Sequence, residues 1–133
     1  MTETVFEKVS KEYQMGEVII RAVNQVSFQI EKGELCLILG PSGAGKTTLL
    51  NLLGGMETVS SGKIFVAGKD ITTMSDSALT DYRRYKIGFI FQFYNLIPNL
   101  TAIENVELAK QVCNSPMEPE DALRIVGLKD RLD

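Results

Sequence analysis

The sequence predicts an α/β fold, a β layer leading into a strand, loop and helix unit and then into a mainly helical second half. Three observations carry this. Val26, Phe28 and Ile30 alternate with polar neighbours, the period of a half-buried strand. Leu35, Cys36, Leu37, Ile38 and Leu39 form an unbroken apolar run, the pattern of a strand covered on both faces, and it leads directly into the glycine-rich stretch Gly40-Pro41-Ser42-Gly43-Ala44-Gly45-Lys46-Thr47. Beyond Gly68, helix-start signals predominate, interrupted by one strand-like run.

Residues 4–12 and 18–23 are β-rich and separated by Gln14-Met15-Gly16, and residues 26–30 make a further strand that turns at Glu31-Lys32-Gly33. Residues 35–39 are predicted as a parallel-sheet strand. Lys46 opens a run of good helix formers that stops at Gly54-Gly55, a left-handed C-cap signal. Ser61-Gly62 opens a short strand over 63–67 that turns at Gly68, and Ser75 caps a helix reaching about Arg84. Residues 87–91 are strand-like. Thr101 with Glu104 three positions on makes a capping box for a helix to about Cys113, and Pro119 suits the first turn of a last helix closed by Gly127.

The bulk properties fit one domain. At 133 residues the chain holds one core of ordinary size, and 44% apolar with 23% charged residues is a globular composition. A formal net charge of −3 gives no general attraction to nucleic acid; the tight basic group Arg83, Arg84 and Lys86 reads as a solvated helix face. Cys36 and Cys113 are far apart, there is no CxxC pair and no histidine, so neither a zinc site nor a disulfide framework is expected. Two reduced thiols in a cytosolic protein are the expectation. The N-terminus, Met1-Thr2-Glu3-Thr4, lacks the basic and apolar regions of a secretory signal, and residues 35–39 are too few to span a bilayer.

The glycine-rich stretch fits G-x-x-x-x-G-K-[ST], and its chemistry follows from geometry. Gly43 and Gly45 let successive backbone N–H groups turn inward as a nest for phosphate oxygens, in which Ser42 and Ala44 also take part. The positive end of the helix starting near Lys46 adds attraction. Lys46 can reach the β and γ phosphates, the Thr47 hydroxyl can coordinate Mg²⁺, and Thr48 can add a phosphate hydrogen bond. The motif alone leaves base, reaction and partner open.

The stretch from Gly40 to Leu50, followed by Ser61-Gly62 and then Ile87-Gly88-Phe89-Ile90-Phe91-Gln92, resembles the ATP-binding subunit of ABC transporters, from about Val5 to the end. Phe91-Gln92-Phe93-Tyr94-Asn95-Leu96-Ile97-Pro98 with Leu100-Thr101-Ala102-Ile103-Glu104-Asn105-Val106 is similar to the branch serving lipoprotein release and macrolide export. The resemblance implies a partial P-loop NTPase core with an N-terminal antiparallel β layer (about 1–92) and the start of a helical subdomain (about 93–133). It implies ATP or ADP with Mg²⁺ as ligands. Gln92 becomes the Q-loop glutamine beside Mg²⁺ and the γ phosphate, and Tyr13 the aromatic stacked on adenine. Gln14-Met15 follows Tyr13 where the family has a glycine sooner, which departs from the pattern. Phe93, Tyr94, Asn95 and Leu96 would face a transmembrane permease subunit, a second nucleotide-binding domain would complete a dimer, and the assembly would sit on the inner face of the cell membrane.

The family's Leu-Ser-Gly-Gly-Gln signature, catalytic glutamate and switch histidine do not occur in these 133 residues. The resemblance therefore implies the N-terminal part of a nucleotide-binding domain, one that binds ATP without turning it over. In the family sheet, strands from elsewhere lie between the positions of 35–39 and 87–91. Two unpaired edges follow, and with them either self-association or displacement of 87–91. The competing reading, the ATPase head of a DNA-repair or chromosome machine, carries long insertions after the loop helix, and only a short stretch precedes Gln92 here. A kinase or GTPase would want Asn-Lys-x-Asp or a lid, and neither is present.

Overall fold

The computed structural model describes residues 1–132. Their contacts divide them into two compact units, Met1–Arg83 and Arg84–Asp133.

In the first unit, Gly16 at φ 63° turns the chain between two long strands, β1 (Thr2–Met15) and β2 (Val18–Glu31). With β3 (Ser61–Val66) and β4 (Lys69–Asp70) they form one antiparallel sheet in the order β2-β1-β3-β4. Val26, Phe28 and Ile30 are half-buried between exposed Gln25, Ser27 and Gln29, so the alternation holds. Residues 18–23 and 26–30 are a single strand, and a bulge takes the place of the expected break. Lys8 and Gln25 both have positive φ where the β1–β2 register shifts. A bulge releases amides from the ladder. Here Lys8 N donates to Ser27 Oγ and Gln25 N to Ser10 Oγ, each at 2.9 Å, so each strand's serine satisfies the other's bulged amide. Phe6 stacks on Phe28 with centroids 4.4 Å apart and, with Val9, Ile64 and Leu52, fills the core.

The helix after the loop, α1 (Lys46–Leu53), has its predicted bounds, with Gly55 rather than Gly54 in the left-handed region at φ 66°. The partly buried carbonyls at and just beyond its end need donors. The following helix, α2 (Asp76–Tyr85), supplies them: the Tyr82 hydroxyl donates to Leu53 O and Arg83 Nη1 to Gly55 O, both at 2.7 Å. At the other end of α2, Ser75 Oγ accepts from Ala78 N as the sequence predicts.

Two predicted strands do not form. Residues 35–39 and 87–91 have no regular structure and belong to no sheet. A strand exists through its neighbours' hydrogen bonds, and the sheet holds only antiparallel strands drawn from elsewhere in the chain. The unpaired edges expected at these positions are seen as a loss of strand structure in both runs, 35–39 as well as 87–91.

The second unit contains α3 (Ala102–Lys110) and α4 (Pro119–Ile125). Thr101 and Glu104 form the predicted capping box, and α3 ends short of Cys113. Pro119 occupies the first turn of α4, and Gly127 at φ 79° follows its end. Lys110 pairs with Glu118 at 2.8 Å and Leu123 is buried. Among the described residues no helix is long and apolar enough to cross a membrane.

Candidate nucleotide site

Gly40 to Thr47 forms a tight loop that enters α1 through Gly45, the N-cap residue at φ 92°. This conformation is open to glycine and strained for other residues. A second constraint is steric, since a Cβ on Gly45 would lie 2.1 Å from Ala22 O of β2. The loop is thus seated against β2 by a contact that a hydrogen atom alone permits. Gly43 is also left-handed, at φ 80°.

Gly45 offers α1 no side-chain cap. The first-turn amides consequently stay free: among the described residues the N–H groups of Gly43, Gly45, Lys46 and Thr47 donate to no protein acceptor. Free amides at the positive end of a helix dipole make an anion site. Lys46 Nζ donates to Gly40 O at 2.7 Å and to Pro41 O at 2.6 Å, so the ammonium is folded over the loop whose amides lack acceptors. Ser42, Ala44 and Thr47 are exposed, and Thr48 is half-buried. The Thr47 hydroxyl has the hard oxygen chemistry that Mg²⁺ takes beside phosphates. Beside the Gly45 contact with Ala22 lies a cleft of about 370 Å³ lined by Val23 and Val26 of β2, by Ile38 and Leu39, and by Ala44 and Lys46 of the loop.

Tyr13 is half-buried near the end of β1, where it pairs with Ile20 of β2. Ile20 and Ala22, the residue approached by Gly45, are two positions apart, about 7 Å along the strand. One strand therefore brings Tyr13 and the loop within the span of a single nucleotide. Tyr13 has two companions that the sequence reading missed. Lys11 Nζ, over the Tyr13 ring at 5.1 Å, donates to Glu57 Oε1 and to Thr58 O, each at 2.7 Å, and the Tyr13 hydroxyl donates to Glu57 Oε2 at 3.4 Å. The hydrogen bond from Lys11 holds the Glu57 carboxyl below its ordinary range, against the opposing effect of burial. No local pattern announces a contact between residues 46 positions apart.

The other predicted residues lie in the second unit. Gln92 is exposed in an irregular segment. Phe93, Tyr94 and Leu96 are exposed as well, Tyr94 by 92%, and Asn95 has φ 49°. Asn105 braces this segment from α3. Its Oδ1 accepts from Ile97 N at 2.8 Å, while its Nδ2 reaches the carbonyls of Ile97, Leu100 and Thr101 at 3.2, 3.1 and 2.9 Å.

Comparison with known proteins agrees with this geometry. Residues 23–133 match the ABC transporter family profile. The chain is 44% identical over 129 residues to an uncharacterized ABC transporter ATP-binding protein of Thermotoga maritima, covering 93% of this chain and 55% of the relative. It is 39% identical over 124 residues to the macrolide export ATP-binding/permease protein MacB of Sodalis glossinidius, covering 93% of this chain and 19% of that protein. Among solved structures it is similar to the dimeric post-hydrolysis state of the ATP-binding cassette MJ0796 bound to ADP and Pi, with a TM-score of 0.86 at 38% identity over 97% of this chain and 59% of that one. A second dimeric structure of that bacterial ABC transporter cassette gives a TM-score of 0.80 at 41% identity, over 91% of this chain and 53% of that one. The chain thus spans about half the length of these two cassettes and of the Thermotoga relative. The fold, the family match and the identities agree, and the chain belongs to the ABC transporter family through its ATP-binding cassette.

Proposed function

We propose that this chain is the phosphate- and base-binding part of an ATP-binding subunit that couples nucleotide to an export-type transporter. The observation that carries the proposal is the set of free amides around Gly43, Gly45, Lys46 and Thr47, seated on β2 through the Gly45 contact with Ala22. In this reading Ser42, Gly43 and Gly45 offer backbone donors to the phosphates, Ala44 exchanges the Pro41 carbonyl that its N–H holds at 3.2 Å for a phosphate oxygen, Lys46 exchanges its loop carbonyls for β and γ oxygens, and Thr48 adds a hydrogen bond. Thr47 and Gln92 would hold Mg²⁺, which would supply neutralisation of phosphate charge. Tyr13 carries the adenine by stacking.

The partners follow from the same relatives. MacB of Sodalis is named as an ATP-binding/permease protein and MJ0796 is described as a dimer, so a permease and a second cassette are the proposed partners. Phe93, Tyr94, Asn95 and Leu96 form the proposed permease contact, at the cytoplasmic face of the membrane. The proposed organisation is a β layer with phosphate loop over about 1–92 and the start of a helical subdomain over about 93–133. The 133 residues include no histidine and none of the family's water-activating glutamate motif, so they are proposed to hold ATP without hydrolysing it.

Titration calorimetry with MgATP tests the reading. Binding is expected, with Lys46→Ala weakening it at least about tenfold, as loss of a charge-assisted phosphate contact implies. Phosphate release should stay at the level of the Lys46→Ala control. Turnover that survives purification and vanishes in Lys46→Ala would overturn the non-hydrolytic part, and unchanged affinity in that variant would overturn the site.

A further inference from the structure

Lys11 is 8% exposed, and a buried ammonium is costly unless paired and fully hydrogen-bonded. Its partners are Glu57 and the Thr58 carbonyl, in the segment that follows α1. The pair therefore ties the strand that carries Tyr13 to the far end of the helix that begins at the phosphate loop. It also constrains Tyr13 directly. One Glu57 oxygen takes the ammonium and the other takes the phenol, while the ammonium stands over the ring.

We propose that Lys11 and Glu57 are positioning residues of the nucleotide site, fixing the Tyr13 ring by its hydroxyl and by one face so that a single face is offered to the base. This rests on the reading that Tyr13 stacks adenine. The ion pair does not bind phosphate; it sets the orientation of the aromatic platform. A ring held in this way loses less rotamer freedom when the base arrives, which is where the gain in affinity originates.

The experiment compares MgATP with magnesium and inorganic tripolyphosphate, which has the phosphates and no base, by calorimetry on the 133-residue chain. Lys11→Met and Glu57→Gln are expected to weaken ATP about five- to twentyfold, within the range of base–aromatic stacking, and to change tripolyphosphate by less than about twofold. Tyr13→Phe, which keeps the ring and loses its tether, is expected to weaken ATP about two- to fivefold. In a Tyr13→Ala background, Lys11→Met should have no further effect on ATP. Circular dichroism checks folding; should Lys11→Met unfold, Glu57→Gln and Tyr13→Phe carry the test.

Equal losses for both ligands, or a further loss in the Tyr13→Ala background, would mean a general structural role and overturn the proposal. If Tyr13→Ala selectively weakens ATP while Lys11→Met and Glu57→Gln do not, the stacking reading stands and the positioning role is wrong. If ATP binds no better than tripolyphosphate and Tyr13→Ala changes nothing, the stacking reading falls and takes this proposal with it.

Discussion

Residues 5–9 and residues 35–39 are both rich in apolar side chains, and their structures are opposite. The first run lies in β1, hydrogen-bonded on one side to β2 and on the other to β3, and its Phe6 is 1% exposed. The second has no strand beside it, and Leu37 is 73% exposed. Apolar sequence gives a segment the capacity to be a strand. A neighbour in register makes it one, because backbone amides and carbonyls must find partners wherever side chains are buried. The phosphate loop follows the unpartnered run and is nevertheless anchored, since Gly45 packs closely on Ala22 of β2.

The contrast is sharpest in stability. Phe6→Ala removes a fully buried ring stacked on Phe28 and is expected to cost about 3–5 kcal/mol in urea denaturation. Leu37→Ala truncates an exposed side chain and should stay within about 0.5 kcal/mol of the parent. A comparable loss at Leu37 would show residues 35–39 packed in solution, against a second copy or another part of the chain, and would break the comparison.

The same contrast explains what was legible in the sequence. Helix boundaries at Ser75, Thr101 and Pro119 were readable because each signal and its partner lie within one turn. The loop chemistry was readable because Gly43, Gly45, Lys46 and Thr47 act largely through their own backbone and side chains. The strands at 35–39 and 87–91 were misread because their pattern is local and their stabilisation is not. Lys11 and Glu57 were missed for a related reason: an isolated charge in sequence carries no mark of the distant group that it holds.

Tyr82 provides a test on the partnered side. Burial pushes its phenol up from 10.0 to about 12, and the neutral hydroxyl donates to Leu53 O. The folded chain therefore keeps a proton that the unfolded chain loses, so this contribution is complete below pH 10 and disappears as pH rises toward 12. Stability should fall by about 2 kcal/mol across that window. Tyr82→Phe should flatten the fall while lowering stability at neutral pH by about 1 kcal/mol, the value of the lost hydrogen bond. An unchanged pH slope in Tyr82→Phe would mean that α2 does not cap α1 through this hydroxyl.

A small and local effect is expected where no distant partner is needed. Thr101 Oγ accepts from Glu104 N at 3.3 Å, and Glu104 Oε2 accepts from Thr101 N at 2.7 Å, so the capping box is closed by residues three positions apart. These bonds, the backbone one foremost, hold the Glu104 carboxyl below its ordinary 4.5. A depressed folded value stabilises above the unfolded value and is lost as pH falls through the folded one, so α3 should fray from its N-terminus in acid below about pH 4.5. Thr101→Ala should cost about 1 kcal/mol, read as faster amide exchange in the first turn of α3 while the exchange of β1 is unchanged. If β1 exchange rises in step, the helix and the sheet unfold as one cooperative body, and the independence of locally and distantly partnered elements fails.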